Sequence, residues 1–123
     1  MARTVAVIGA SNDRSKFGNK AVRAFQARGY TVIPINPNES IVEGLTAYRS
    51  VLDVPGSIEM ATVYLPARAS LRVIPEIARK GIREIWLNPG ADDDAVIEAA
   101  RAHGLEPTVA CSIMGIGERP GSY

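Results

Sequence analysis

The sequence predicts an α/β domain in three layers: an open, mainly parallel sheet of about five strands with helices on both faces. Two observations carry this prediction. Short apolar runs recur and break on turn-forming residues: Thr4–Ile8 stops at Gly9-Ala10-Ser11, and later runs stop at Asn36-Pro37, Leu65-Pro66-Ala67 and Asn88-Pro89-Gly90. The stretches between them have helical spacing, the pattern of parallel strands joined by helical crossovers. All four breaks then fall on the carboxyl edge of one sheet, where open α/β sheets bind their ligands.

The elements follow in order. Thr4–Ile8 is continuously apolar, as a strand buried on both faces is. Gly9–Lys16 is a polar loop. A helix is expected over about Phe17–Arg28, with Phe17, Ala21, Ala24/Phe25 and Arg28 on one face, Arg23 and Gln26 outward, and Gly29 as a left-handed stop. Tyr30–Ile35 is the second strand. Pro34 has no N–H to donate, so pairing on one side ends before it or the strand lies at an edge. Asn38–Gly56 is the least regular stretch, with a turn at Val42-Glu43-Gly44 and one helical turn near Ser50–Leu52. Ile58–Leu65 reads as the third strand and Arg68–Lys80 as a helix stopped by Gly81, in which Pro75 predicts a kink or a restart. Glu84–Leu87 is the fourth strand. Asp92-Asp93-Asp94 opens a helix over about Asp93–His103, supplying a cap and acid suited to the helix dipole, and Gly104 closes it. Thr108–Cys111 is a short fifth strand. Gly115–Tyr123, rich in Gly and Pro, is expected to be loosely held.

A chain of 123 residues fits a single domain, and its net charge of +1 gives no field that favours nucleic acid or a membrane surface. No apolar run approaches the ~20 residues that span a bilayer. Met1-Ala2-Arg3 leads straight into a strand without a signal-peptide pattern. The one cysteine, Cys111, excludes an internal disulfide and fits a reducing compartment, so a cytoplasmic location is expected. With one histidine, no CxxC and no HExxH, no metal site is expected.

The first loop reads Gly9-Ala10-Ser11-Asn12-Asp13-Arg14-Ser15-Lys16-Phe17-Gly18. Small residues at its start let backbone N–H groups approach an anion, and the helix that follows points its positive end at the same place. Arg14 and Lys16 add positive charge, so a pyrophosphate fits this loop; a glycine that merely turns the chain fits it equally. Ser11 is suited either to cap the helix or to bond a phosphate. The loop is not a Walker A motif, which needs GxxxxGK[ST]. Nor is it a dinucleotide fingerprint, since GxGxxG is absent and the second strand ends in Asn36-Pro37 where an acid would hold a ribose.

Gly9-Ala10-Ser11, Lys16-Phe17-Gly18, Gly29-Tyr30 and Val32-Ile33-Pro34-Ile35-Asn36-Pro37 resemble the small CoA-binding domain family, the YccU-like proteins. The match continues through Val63-Tyr64-Leu65-Pro66-Ala67 and Ile85-Trp86-Leu87-Asn88-Pro89-Gly90-Ala91 to Cys111-Ser112-Ile113-Met114, so it spans nearly the whole chain. The same domain is similar to the CoA-binding part of the succinyl-CoA synthetase alpha subunit and of ADP-forming acyl-CoA synthetases. The resemblance implies a single Rossmann-like domain that binds coenzyme A, or an acyl-CoA, along its strand ends. Gly9, Ala10, Ser11, Arg14, Lys16, Phe17 and Gly18 would belong to the loop that holds the diphosphate. Asn36 and Pro37 would line the adenosine end. Leu65, Pro66 and Ala67, with Leu87, Asn88, Pro89 and Gly90, would flank the nucleotide and the pantetheine arm. One departure bears on charge: synthetase subunits carry a lysine shortly after the proline that ends the second strand, and here Asn38-Glu39 follow Pro37.

No residue is expected to be catalytic. The phosphorylated histidine of the related synthetases lies in a further domain, and His103, at a helix C-terminus beside Gly104, suits a structural role. Cys111 reads as a small buried filler, or as a thiol near the thiol of bound CoA, though its neighbours lack cations that activate thiols. Asp92-Asp93-Asp94 diverge around a helix start and read as cap and solvated charge. Tyr64 and Trp86 read as strand-packing residues. The expected function is binding of CoA without turnover by the chain alone. The alternatives are a CoA-binding subunit working with a synthetase or transferase partner chain, and an NAD-type regulator; a homodimer is compatible with either.

Overall fold

The computed structural model describes residues 3–123, so the reading of Met1-Ala2 lies outside it. The chain runs β1 (Thr4–Ile8), α1 (Phe17–Ala27), β2 (Thr31–Ile35), a hairpin of β3 (Ile41–Val42) and β4 (Leu45–Thr46), and a 3-10 turn at Val51–Asp53. There follow β5 (Met60–Val63), α2 (Ala67–Lys80), β6 (Glu84–Leu87), α3 (Asp94–Ala102), β7 (Thr108–Val109), α4 (Ser112–Gly115) and a 3-10 turn at Pro120–Ser122. Five strands form one sheet in the order β2-β1-β5-β6-β7, every pair parallel. This is the expected Rossmann-like architecture.

Alternation along β1 shows how the sheet feeds two cores. Val5 and Val7 pack with Ala21, Val22 and Phe25 of α1 and Ile113 of α4, while Ala6 and Ile8 pack with Ile74 and Ile77 of α2 and Val96 and Ala100 of α3. Val5, Ala6, Val7 and Ile8 are all buried, as a strand covered on both faces must be.

Pro34 is accommodated at the edge. Its carbonyl accepts from Tyr48 N–H at 3.0 Å, and the Tyr48 carbonyl accepts from Asn36 N–H at 2.9 Å. The backbone of Pro34 thus faces away from β1, where its missing N–H removes no ladder bond. Tyr48 makes an isolated parallel bridge to Ile35. It stands where the third strand of a 3-2-1-4-5-6 dinucleotide-binding sheet would lie. The turn expected at Val42-Glu43-Gly44 is the tip of the β3–β4 hairpin, with positive φ at both Glu43 (48°) and Gly44 (77°).

Several boundaries differ from expectation. Phe17 opens α1 but is 53% exposed, and the buried face is Gly18, Ala21, Val22 and Phe25, so the inner stripe starts one residue later than the spacing suggested. Helix α2 runs unbroken through Pro75; no restart occurs. Strand β5 keeps only the four residues that pair with β1 and β6. Strand β7 stops at Val109, because Ser112 N–H bonds Asn88 Oδ1 at 2.8 Å and turns the chain into α4 with Cys111 as its N-cap. The segment after Gly115 lies against α1: Glu118 pairs with Arg28 at 3.7 Å, and Arg23 sits 5.6 Å over the Tyr123 ring. No helix among the described residues is long and apolar enough to cross a membrane.

Candidate functional site

The crossover from β1 leads to β2 on one side and the crossover from β5 leads to β6 on the other, so a crevice opens between the ends of β1 and β5. Its floor is backbone. Gly9 has φ +93°, and a Cβ there would lie 2.5 Å from the Tyr64 carbonyl oxygen. A Cβ at Gly18 would lie 2.1 Å from the Gly9 carbonyl oxygen. Only glycine lets the first turn of α1, the end of β1 and the end of β5 meet this closely. The N-cap of α1, Lys16, makes no side-chain capping bond, and the first turn carries no acid. Its N–H groups therefore keep their positive end uncovered toward the crevice.

The rest of the first loop is bonded internally and to the hairpin. Ser11 Oγ accepts from Asp13 N–H at 3.0 Å, so it does not cap α1. Asp13 accepts from both the N–H and the hydroxyl of Ser15, which holds its carboxyl below the ordinary range. Buried Asn19 donates to Ser11 O (2.8 Å) and Glu43 Oε2 (2.9 Å) and accepts from Arg23 Nε (2.7 Å). Asn12 donates to Ile41 O at 2.8 Å. Arg14 pairs with Glu43 at 3.4 Å. Glu43 holds a left-handed conformation that favours Asn or Gly, and its side-chain bonds to Asn19 and Arg14 are what an Asn or Gly would forfeit.

Two cavities meet at the crevice and share Gly9 and Leu65. One, of about 330 Å³, is lined by Lys16, Phe17, Gly18, Pro66, Pro89 and Gly90 together with Tyr64 and Ala91. The other, of about 270 Å³, lies under the end of β2, with Pro37, Arg49, Arg72, Val73 and Glu76 in its wall. The structure thus brings Gly9, Lys16, Phe17, Gly18, Pro37, Leu65, Pro66, Pro89 and Gly90 together on one edge. Ala10, Ser11, Arg14, Asn36, Ala67 and Leu87 line neither cavity. Leu87 and Ala10 are core residues with buried side chains. Asn36 donates to Ala10 O at 2.7 Å and accepts from Asn38 N–H at 2.7 Å, so its amide ties the β1 and β2 loops together.

Asn88 is buried and fully bonded. Its amide nitrogen donates to Thr62 Oγ1 (2.6 Å) and Val63 O (2.9 Å), and its oxygen accepts from Ser112 N–H. Ser112 Oγ in turn bonds Thr62 Oγ1 (2.7 Å) and the Tyr64 hydroxyl (3.1 Å). Burial pushes the Tyr64 hydroxyl up to about 12, so it stays a neutral hydrogen-bonding group. Beyond this network a recess of about 70 Å³ is lined by Phe17, Tyr64, Asn88, Pro89 and half-buried Cys111. His103 is the C-cap of α3, and Asp93 is its N-cap, accepting from Ala95 N–H at 2.9 Å. Arg49, Arg72 and Tyr64 were not singled out as site residues by the sequence. Arg49 and Arg72 carry no motif; only the fold puts them beside Pro37.

The fold and this edge define a Rossmann-like domain with a ligand crevice at the switch point of its sheet. The CoA binding domain family model matches residues 3–116, and the chain belongs to that family. It is 32% identical over 115 residues to an ADP-forming acetate–CoA ligase of Archaeoglobus fulgidus, covering 84% of this chain and 17% of the ligase. The chain spans less than a fifth of the length of the first curated relatives it matches. Among solved structures, a hypothetical protein from Pyrococcus horikoshii superposes with a TM-score of 0.85 at 26% identity, over 92% of this chain and 80% of that one. A dinucleotide-forming acetyl-coenzyme A synthetase of Ca. Korarchaeum cryptofilum superposes at 0.76 with 27% identity, over 87% of this chain and 25% of that one.

Proposed function

We propose that this chain binds coenzyme A or an acyl-CoA along the ends of β2, β1, β5 and β6, and does not turn it over alone. The observation that carries the reading is the pair of cavities meeting at Gly9 and Leu65, at the switch point of a domain of the CoA-binding family. The diphosphate lies at the glycine contact, facing the first turn of α1 with Lys16 beside it. The adenosine end occupies the cavity beside Pro37, and the pantetheine arm runs along Pro66, Pro89 and Gly90. Discrimination against NAD follows from the turn after β2, Asn36-Pro37, where the Asn36 amide is already engaged, so the end of β2 supplies no acid for the ribose hydroxyls.

Calorimetric titration of the ligand-free protein with CoA, acetyl-CoA and NAD tests this. Micromolar-range CoA binding with little NAD binding is the expected result; a folded protein that ignores every CoA species overturns it. A second reading, a CoA-binding subunit of an acyl-CoA synthetase, is favoured by the match to so small a share of the ligases. It predicts CoA-dependent ligase activity only when a partner chain supplies the nucleotide-handling parts.

A further inference from the structure

Coenzyme A carries a phosphate monoester on its ribose as well as the diphosphate, and the turn after β2, Asn36-Pro37-Asn38-Glu39, offers no cation. The cavity at that end of the sheet nevertheless has two guanidinium side chains in its wall, from unrelated parts of the chain. Arg49 follows the bridging residue Tyr48, and Arg72 projects from the second turn of α2. Both are exposed, and neither joins an ion pair among the described residues. Arg49 Nε donates to the Pro37 carbonyl at 3.4 Å, which keeps its head group beside the turn that follows β2. The one acid of the lining, Glu76, accepts from Ser50 Oγ at 2.6 Å. The remaining wall is apolar, from Ile8, Ile35, Leu65 and Val73, and suits a flat base. Arg14 is committed to Glu43 and Lys16 lines the neighbouring cavity, so neither serves this end.

We infer that Arg49 and Arg72 bind the 3′-phosphate of CoA, so that this chain selects CoA over dephospho-CoA. The inference rests on the reading of the groove as a CoA site. A phosphate monoester carries close to two negative charges at neutral pH, and the planar guanidinium fork matches its oxygens. The base on the apolar wall places the ribose at the mouth of the cavity, where the two arginines stand.

The experiment is calorimetry with CoA and dephospho-CoA on the wild-type protein, Arg49→Gln, Arg72→Gln and the double variant, with Arg79→Gln as an exposed control on α2. Glutamine keeps a polar stem at two exposed positions, and thermal melting confirms that each variant is folded. Wild type is expected to prefer CoA by on the order of tenfold or more. Each single variant should lose a several-fold part of that preference, with dephospho-CoA affinity unchanged, and the double variant should bind both ligands alike. Equal wild-type affinity for the two ligands overturns this inference while leaving the CoA reading intact. So do variants that weaken both ligands equally. No binding of either ligand overturns the underlying reading and this inference with it.

Discussion

Gly18→Ala tests whether the crevice is built on backbone contact. Gly18 lies in the first turn of α1 without a positive φ, so helix propensity alone predicts that alanine stabilises the protein by about 1 kcal/mol. Sterics predict the opposite. The new Cβ would sit 2.1 Å from the Gly9 carbonyl oxygen and 3.0 Å from its carbon, and both are backbone atoms that no rotamer change can move. Overpacking of well-packed sites costs about 1–3 kcal/mol, and a backbone obstacle belongs at the upper end. The net loss is about 2 kcal/mol. For 123 residues the unfolding entropy near the midpoint is about 0.26 kcal/mol per kelvin, so Tm should fall by about 8 °C. Urea denaturation and thermal melting give both numbers, on the assumption of two-state unfolding. Gly44→Ala is the comparison, because nothing lies within 4 Å of its Cβ position and only its φ of +77° penalises it. A Gly18→Ala protein as stable as wild type would show that α1 does not rest on Gly9 and would remove the glycine contact as the basis of the site.

Lys16→Ala should weaken CoA binding by on the order of tenfold, as loss of one charge-assisted contact does, without lowering Tm, since Lys16 makes no capping bond; unchanged affinity takes Lys16 out of the site. Asn88→Ala strands the Ser112 N–H and the partners of the amide in a dry interior and should cost about 3 kcal/mol in urea denaturation; a loss below 1 kcal/mol would mean that the network is not intact in solution. Tyr64 has its proton held more tightly in the folded chain, near 12, than in the unfolded one, near 10, so its contribution is fully present below pH 10 and is lost as pH rises through 12. That loss is about 2–3 kcal/mol, and Tyr64→Phe should flatten this part of the stability profile; a variant that follows the wild-type curve refutes the assignment.

The strand ends were legible because parallel strands buried on both faces leave unbroken apolar runs, and the turn residues that stop them have few other uses. Gly9, Pro37, Leu65 and Pro89 announce the edge in this way, and the edge defines the crevice. The outer residue of β2 was legible as well, since Pro34 is tolerated only where no donor is needed. Phe17 masks where the buried face of α1 begins, because apolarity in a helical register reads as burial; its 53% exposure places it on the rim of a cavity instead. Leu87 and Asn88 share a motif with Pro89 and Gly90, yet both are buried: Leu87 lies in the core, and Asn88, just past β6, is held by Thr62, Val63 and Ser112. Arg49 and Arg72 were invisible for a different reason. A surface arginine looks the same whether it faces solvent or a cavity mouth, and the 22 residues between them close only in three dimensions.

The two ends of the groove are held by unlike restraints, and this decides where binding can be separated from folding. At the switch point, Gly9 and Gly18 are in backbone contact, and at the β6 wall Asn88, Thr62, Ser112 and Tyr64 form a closed polar network. A change at either place moves a wall, so lost binding there reports on the fold as much as on the ligand. At the β2 end the charged groups project from exposed positions, and the backbone beneath them is fixed independently by the Asn36 amide and the Tyr48 bridge. Arg49, beside that bridge, and Arg72, on the exposed side of α2, can therefore be changed without shifting what supports them. Preorganised walls with adaptable cations at the rim fit a ligand whose base must seat in a fixed recess while its phosphates are met by side chains that close on arrival. The loss of CoA preference in the Arg49→Gln, Arg72→Gln double variant, with melting unchanged, is the result that this division of labour requires.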